Sequence, residues 1–303
     1  MNDPRDTFSG RATGLMRVVS VCEAKDIRVW KIASKRIVRH IRSESYQLFC
    51  PDLQIPLFQD ASDPAWEIIG ENAITSNCPV SKIRGMVSGE NHGRVNWLFQ
   101  QFVKINAISS SGLADSDAVL IWDADTVPLR NIGFVEGGNG RLLCYHGTEH
   151  HEPYFETIGK LLGPGKTAGV SFIAQCLPLR AGWLREMVRE IEGLAGLPYA
   201  EAVLACLPGL SGAEFSEYET AGTWIIRNHP DGIFFRERNV WLRGGSSVFP
   251  SDLSSVFSAA LFSILSLRYD FVAIETWKTE VSFGRVIRAA ARRLRLSSVS
   301  DRA

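Results

Sequence analysis

The segment Ala118-Val119-Leu120-Ile121-Trp122-Asp123-Ala124-Asp125 restricts the fold more than any other part of the chain. Its first five residues are apolar without alternation and rich in branched and aromatic side chains, which is the pattern of a strand covered on both faces. Strands of that kind belong to parallel sheets flanked by helices, where ligands collect beyond the carboxyl ends of the strands. Asp123 and Asp125 are therefore expected at the lip of a crevice. Hard oxygen donors placed there suit Mn²⁺ or Mg²⁺, ions that borrow further ligands from water and substrate phosphates.

The surrounding pattern agrees with a doubly wound α/β sheet. A strand is expected over 17–22, a helix over 26–42 with Ile27, Trp30, Ile37, Val38 and Ile41 at mostly helical spacing, and a second strand over 46–50. A Pro-rich loop and a Gly-dotted segment lead to a helix over 95–110 and then to the acidic strand. Further strands are expected at 141–145, 171–177, 223–227 and 233–236, with helices at 154–162 and 179–194 between the first three. Residues 1–16 read as a disordered tail, 17–240 as one catalytic domain, and 241–303 as an appendage. In the appendage a Ser-capped apolar helix precedes a basic amphipathic one.

Composition narrows the partners. The 33 basic residues balance the 33 acidic ones, so no global field draws in nucleic acid. The six cysteines, Cys22, Cys50, Cys78, Cys144, Cys176 and Cys206, form no close pair and several lie in apolar runs, which points to reduced thiols in a cytoplasm-like compartment. The polar start of the chain lacks the apolar core of a secretory signal. The greasiest stretch, 256–267, is shorter than the roughly 20 residues a spanning helix needs.

An Asp-x-Asp pair at a strand end has two enzymatic readings. In a nucleotide-sugar glycosyltransferase of the GT-A type it holds a divalent ion against the donor diphosphate, where the ion stabilises charge growing on the leaving group. In a haloacid-dehalogenase-type phosphatase the first aspartate is a nucleophile and the second an acid/base. That signature stands on the first strand of its domain and needs a late pair of carboxylates. Here about a hundred residues precede it, and Asp231, Asp252 and Asp270 are isolated. The glycosyltransferase reading is preferred, with a GT-A-shaped nucleotide-binding or scaffold protein that lacks transfer as the alternative.

Three segments carry a family resemblance: Asn96-Trp97-Leu98-Phe99-Gln100-Gln101-Phe102-Val103-Lys104-Ile105, the acidic strand through Thr126, and Phe215-Ser216-Glu217-Tyr218-Glu219-Thr220. Over roughly 17–236 the chain resembles a little-characterised family of bacterial glycosyltransferase-like proteins with the GT-A fold, a Rossmann-type mixed sheet flanked by helices. The resemblance implies Mn²⁺ or Mg²⁺ and a UDP- or GDP-linked sugar donor; the acceptor is left open, with a cell-surface glycan or a lipid-linked intermediate as the candidates.

Asp123 and Asp125 are the expected metal ligands, with Asp125 also counted as catalytic. By analogy with similar transferases, Lys104 is expected to reach the donor phosphates or nucleoside; Gln100 shares its face at one-turn spacing, and Gln101 on the same helix is counted with the donor-binding residues. Arg84 is a second candidate, since an arginine in a loop can clamp a diphosphate through a forked contact. Glu217 is the expected base or acceptor ligand, because Ser216 and Glu219 read as a capping box that assigns Glu219 a structural task. His229 is expected to complete the metal sphere, as a late histidine does in several metal-using transferases. The cluster His146, Glu149, His150, His151 and Glu152 matches no closed zinc spacing and reads as a loop beside the acceptor. Gly163-Pro164-Gly165-Lys166 lacks the spacing of a phosphate-binding loop and reads as a helix stop. Arg285, Arg288, Arg292 and Arg295 share one side of the last helix, which reads first as a solvated or domain-packed helix and, as the alternative, as one touching an anionic membrane surface peripherally.

Overall fold

A computed structural model describes residues 16–75, 80–86, 92–136, 140–163, 169–207, 214–245, 249 and 253–275. Its first half contains β1 (Met16–Val21), α1 (Ile27–His40), β2 (Ser45–Cys50), α2 (Ile55–Ala61), β3 (Trp66–Gly70), α3 (Val80–Met86), α4 (His92–Ser109), β4 (Ala118–Trp122) and β5 (Thr126–Pro128). Then follow β6 (Leu142–Cys144), α5 (Glu152–Leu162), β7 (Cys176–Arg180), α6 (Ala181–Ala195), α7 (Tyr199–Cys206), α8 (Glu217–Asn228), β8 (Ile233–Phe235), α9 (Val256–Ser266) and β9 (Phe271–Ala273).

The main sheet has five strands in the order β3-β2-β1-β4-β7. The first four are parallel and β7 runs antiparallel to β4. This is the mixed, mostly parallel α/β architecture expected from the acidic strand, and every residue of β4 is buried. From β1 the chain moves outward through β2 and β3, then returns to lay β4 on the other side of β1. Right-handed crossovers in opposite directions put α1 and α2 on one face of the sheet and α4 on the other. The reversal of strand order between β1 and β4 puts a topological switch point beyond their carboxyl ends, the place where open α/β sheets gather ligands.

Each face is sealed by an apolar stripe. Val29, Trp30, Ala33 and Ile37 of α1 are buried, while Arg28, Lys31, Lys35 and Arg39 remain in solvent. Arg36 ties α1 to the end of β5 by donating to the carbonyls of Pro128 (2.7 Å) and Leu129 (3.2 Å). Trp122 ends β4: its ring packs edge-on against Phe271 at 5.2 Å and its indole N–H donates to the Thr126 carbonyl at 2.8 Å. That bond turns the backbone tightly beneath the two aspartates.

Several expectations change. Residues 223–227 belong to α8, not to a strand. The β-branched and aromatic run suggested extended chain, but the Ser216 hydroxyl accepts from the Glu219 N–H and starts a helix that continues through it. In 171–177 only the end is strand; Ser171 makes an isolated bridge to Gly147, and Gln175 has a left-handed φ of 62° that kinks the chain into β7. β3, α2, α3 and α7 were not foreseen. β9, within the expected appendage, pairs antiparallel with β5, so 271–273 is built into the layer beneath the acidic pair.

β1 begins at Met16, one residue before its expected start. Residues 1–15, Cys78, Asp252 and the basic C-terminal helix lie outside the described residues. The other five cysteines are unbonded thiols, four of them buried. Among the described residues, no helix is long and apolar enough to cross a membrane.

Candidate active site

Several pieces of chain meet beyond the ends of β1 and β4 around a cavity of about 200 Å³. The turn after β1 supplies Lys25 and Asp26, α4 supplies Trp97, Gln100, Gln101 and Lys104, and the turn after β4 supplies Asp123 and Asp125. The start of α8 adds Glu217 and Tyr218, and the late segments add Arg243 and Glu275.

Lys104 is the electrostatic centre. Its ammonium donates to Asp123 Oδ1 and to Glu217 Oε1, both at 2.6 Å, and lies 4.6 Å from the centre of the Tyr218 ring. The Tyr218 hydroxyl donates to Asp123 Oδ1 as well, at 2.7 Å. Burial alone would lower the Lys104 pKa, but Asp123 and Glu217 outweigh it and hold the group protonated, above the ordinary lysine range. An internal cation thus crosslinks α4, the acidic turn and α8. Gln101 supports the same junction: its Oε1 accepts from the Glu217 N–H at 2.9 Å. Its buried Nε2 has no hydrogen-bond partner among the described residues, and the residue lines the cavity.

The backbone of Asp123 is fixed by donation to the Gln175 carbonyl at 3.0 Å, the residue with the left-handed φ. Strain of this kind persists where the surroundings over-determine it, often at a site. The Asp125 carbonyl accepts from the Ile274 N–H at 2.8 Å, so β9 and the residue after it brace the second aspartate.

Asp125 differs from Asp123 in its surroundings. Burial, then the negative charges of Asp123, Asp26 and Glu275, push its pKa up to about 7, against a smaller opposing effect of Lys104. Carboxylates crowded enough to retain a proton are equally suited to a cation. Both side-chain bonds to Asp123 fall on Oδ1, and among the described residues Asp125 receives one long side-chain bond, of 3.4 Å from the Thr126 hydroxyl. This donor set fits Mg²⁺ or Mn²⁺ held by two protein carboxylates, with phosphate oxygens and water as the other ligands. Among the described residues, no cluster of three or more His, Cys, Asp or Glu is arranged to hold a metal.

The other expected residues lie elsewhere. His229, at the far end of α8 from Glu217, pairs with Glu186 at 2.9 Å and stacks on Trp183 at 5.0 Å. It lines no part of the cavity, so its expected place in the metal sphere is corrected to a helix-end contact. Arg84 sits on the exposed side of α3 and is likewise absent from the cavity wall; α3 keeps it on a helix rather than the expected loop. Glu219 is buried; its N–H donates to the Ser216 hydroxyl at 3.3 Å, the cap half of the expected box, while its carboxylate accepts from the Ser171 hydroxyl. His150 pairs with Glu152 and stacks on Phe155 on the surface, while Glu149 reaches the cavity wall through an ion pair with Arg243. Gly163, with φ of 83°, ends α5 as expected, and 164–168 lie outside the described residues.

Sequence reasoning passed over Tyr218, Asp26, Gln175, Arg243 and Glu275. Tyr218 adjoins Glu217 in a segment already singled out. The other four come from turns and late residues whose approach to the aspartates depends on sheet order.

No protein-family model matches the chain, and no curated protein matches it in sequence. Among solved structures it is similar to the apo structure of the WbbM bifunctional glycosyltransferase, with 10% identity, a TM-score of 0.44, and coverage of 93% of this chain and 48% of that one. It is also similar to apo mouse xyloside xylosyltransferase 1, with 11% identity, a TM-score of 0.43, and coverage of 88% and 99%. An active-site mutant of LgtC gives 13% identity, a TM-score of 0.44, and coverage of 91% and 96%. The chain spans about half the length of the WbbM structure.

Proposed function

We propose that this chain is a metal-dependent glycosyltransferase of the GT-A type, moving a sugar from a UDP- or GDP-linked donor to a glycan or lipid-linked acceptor. The observation that carries the reading is the pairing of Asp123, held on one oxygen by Lys104 and Tyr218, with Asp125, whose pKa is pushed up to about 7 by burial and neighbouring carboxylates. Carboxylates so arranged over a switch-point crevice call for a cation and a polyanion together.

Asp123 and Asp125 would hold Mn²⁺ or Mg²⁺, which supplies Lewis-acid neutralisation of a departing diphosphate. Lys104 holds Asp123 in place and adds positive charge beside the diphosphate. Gln101 offers its amide N–H groups to the donor. Glu217 commits one carboxylate oxygen to Lys104 and has a second with which to accept the proton of an acceptor hydroxyl. A cytoplasmic site of action at the inner face of a membrane belongs to the same proposal, in keeping with the unbonded thiols.

The phosphatase reading is disfavoured by topology, because the Asp-x-Asp ends the fourth strand and Asp270 is engaged by Tyr145 at 2.7 Å and Arg238 at 3.3 Å. The decisive test is Asp125→Ala, assayed for donor hydrolysis and transfer with Mn²⁺ and a panel of nucleotide sugars. The expected result is loss of metal-dependent turnover with an unchanged circular dichroism spectrum. Undiminished turnover removes the metal role. Metal-dependent nucleotide binding by the wild type with no product from any donor favours the binding-protein alternative.

A further inference from the structure

α9 has the sequence VFSAALFSILS and carries no charged residue. It buries Ser258 and Phe262, yet Val256 and Ile264, together with Leu267 just past its end, are 88%, 61% and 83% exposed. Helical spacing places Val256, Ala260, Ile264 and Leu267 on one face, away from Phe262. Clustered exposure of large apolar side chains marks a surface that meets something other than water.

The neighbouring helix indicates what that is. α1 contains Arg28, Lys31, Lys35, Arg36 and Arg39 and no acidic residue. Arg28, Lys31, Lys35 and Arg39 are exposed at spacings of three and four, so they form one basic stripe. The two helices are joined through Arg36, whose guanidinium lies 5.0 Å from the centre of the Phe262 ring. Arg268, directly after the α9 face, is also exposed. In a chain of zero formal net charge, cations are thus gathered beside an uncharged greasy helix face. Residues 276–303 add seven Lys or Arg against Glu280 and Asp301.

We infer that the surface formed by α1 and α9 docks this protein on an anionic lipid bilayer, with the α9 face entering the acyl boundary and the α1 stripe meeting the headgroups. Interfacial helices combine these two ingredients, apolar side chains for depth and Lys or Arg for anionic lipid. A second copy of this chain is a poorer occupant, since a self-complementary contact would bring two basic stripes together. The inference does not depend on the donor chemistry, and the two can fail separately.

The test is flotation of the full chain with phosphatidylcholine vesicles, with and without phosphatidylglycerol. Wild type is expected to float with the anionic vesicles only, and less so as salt rises. Ile264→Asn with Leu267→Asn, and separately Lys31→Glu with Lys35→Glu and Arg39→Glu, should each lower the partition coefficient by about tenfold or more. Their circular dichroism and metal-dependent nucleotide binding should match wild type. The inference is overturned if wild type does not float, or if both surface variants float as it does. It is equally overturned if only Arg288→Gln with Arg292→Gln and Arg295→Gln abolishes binding, which places docking in the C-terminal stretch alone. Light scattering that shows the α9 variant converting a dimer to a monomer assigns the face to self-association instead.

Discussion

The Tyr218 hydroxyl and the Lys104 ammonium converge on a single oxygen of Asp123, at 2.7 and 2.6 Å. They arrive from different helices, α8 and α4, and the Asp123 N–H is meanwhile bonded to Gln175. The residue is thus restrained at its backbone and at one carboxylate oxygen, and both side-chain bonds leave Oδ2 uninvolved. The first aspartate of the motif is therefore anchored, while Asp125, short of hydrogen-bond donors, is the one whose charge depends on what enters the cavity.

Tyr218→Phe isolates one of these restraints. The ring and its contact with Lys104 remain, and only the bond to the carboxylate is lost. Hydrogen bonds to charged groups contribute about 1.5–3 kcal/mol, so urea denaturation should show a loss near the lower end of that range. Titration calorimetry with Mn²⁺ and the nucleotide should show weaker binding. Unchanged affinity would mean that Lys104 alone orients Asp123.

Lys104→Met should be far more damaging. Lys104 and Glu217 are almost wholly buried, with side chains 10% and 5% exposed, and the substitution strands Glu217 and leaves Asp123 with one donor. Breaking a buried pair from one side costs about 3–5 kcal/mol. Adding Glu217→Gln should restore part of the loss, because the uncompensated charge is removed. A double-mutant cycle by chemical denaturation measures this, and simple additivity would contradict the coupling.

The legible part of this molecule was the part governed by periodicity. β4 announced itself by five consecutive apolar residues, α1 by its helical stripe, and the Ser216 cap by its partner three residues on. Lys104 and Glu217 were singled out individually, but their mutual contact spans 113 residues and depends on α4 and α8 meeting over the sheet. The run 223–227 misled because burial on all sides of a helix erases the alternation that separates helix from strand. His229 looked like a ligand by its position late in the chain, yet the length of α8 carries it away from Asp125. Arg243 and Glu275 were hidden for the opposite reason: the pairing of β9 with β5 returns a remote stretch to the acidic pair.

Gly222→Ala tests how closely α8 must approach. A Cβ on Gly222 would fall within the ring of Phe172, which is fully buried. A flat ring packed on both sides has nowhere to go, and overpacking of a core costs about 1–3 kcal/mol, occasionally more. Because Glu217 and Tyr218 lie one turn up the same helix, the displacement should also weaken nucleotide binding. Thermal unfolding and calorimetry on one preparation should show both losses; stability lost with affinity intact would mean that the start of α8 is held independently by Gln101 and Lys104.

Glu71 gives a pH dependence away from the site. Burial, then the charges of Glu23 and Asp52, push its pKa from 4.5 up to about 7. The folded chain therefore holds a proton on Glu71 that the unfolded chain has released across that window. Stability contributed by this group falls as pH rises from about 4.5 to about 7 and is level above, where the charged form is strained in the fold. Glu71→Gln removes the titration. After discounting for partial exposure, the variant should gain about 1–2 kcal/mol over wild type at pH 8 and nothing near pH 4. Urea denaturation of both proteins across that range supplies the comparison, and a difference that does not change with pH would show that Glu71 titrates alike in both states.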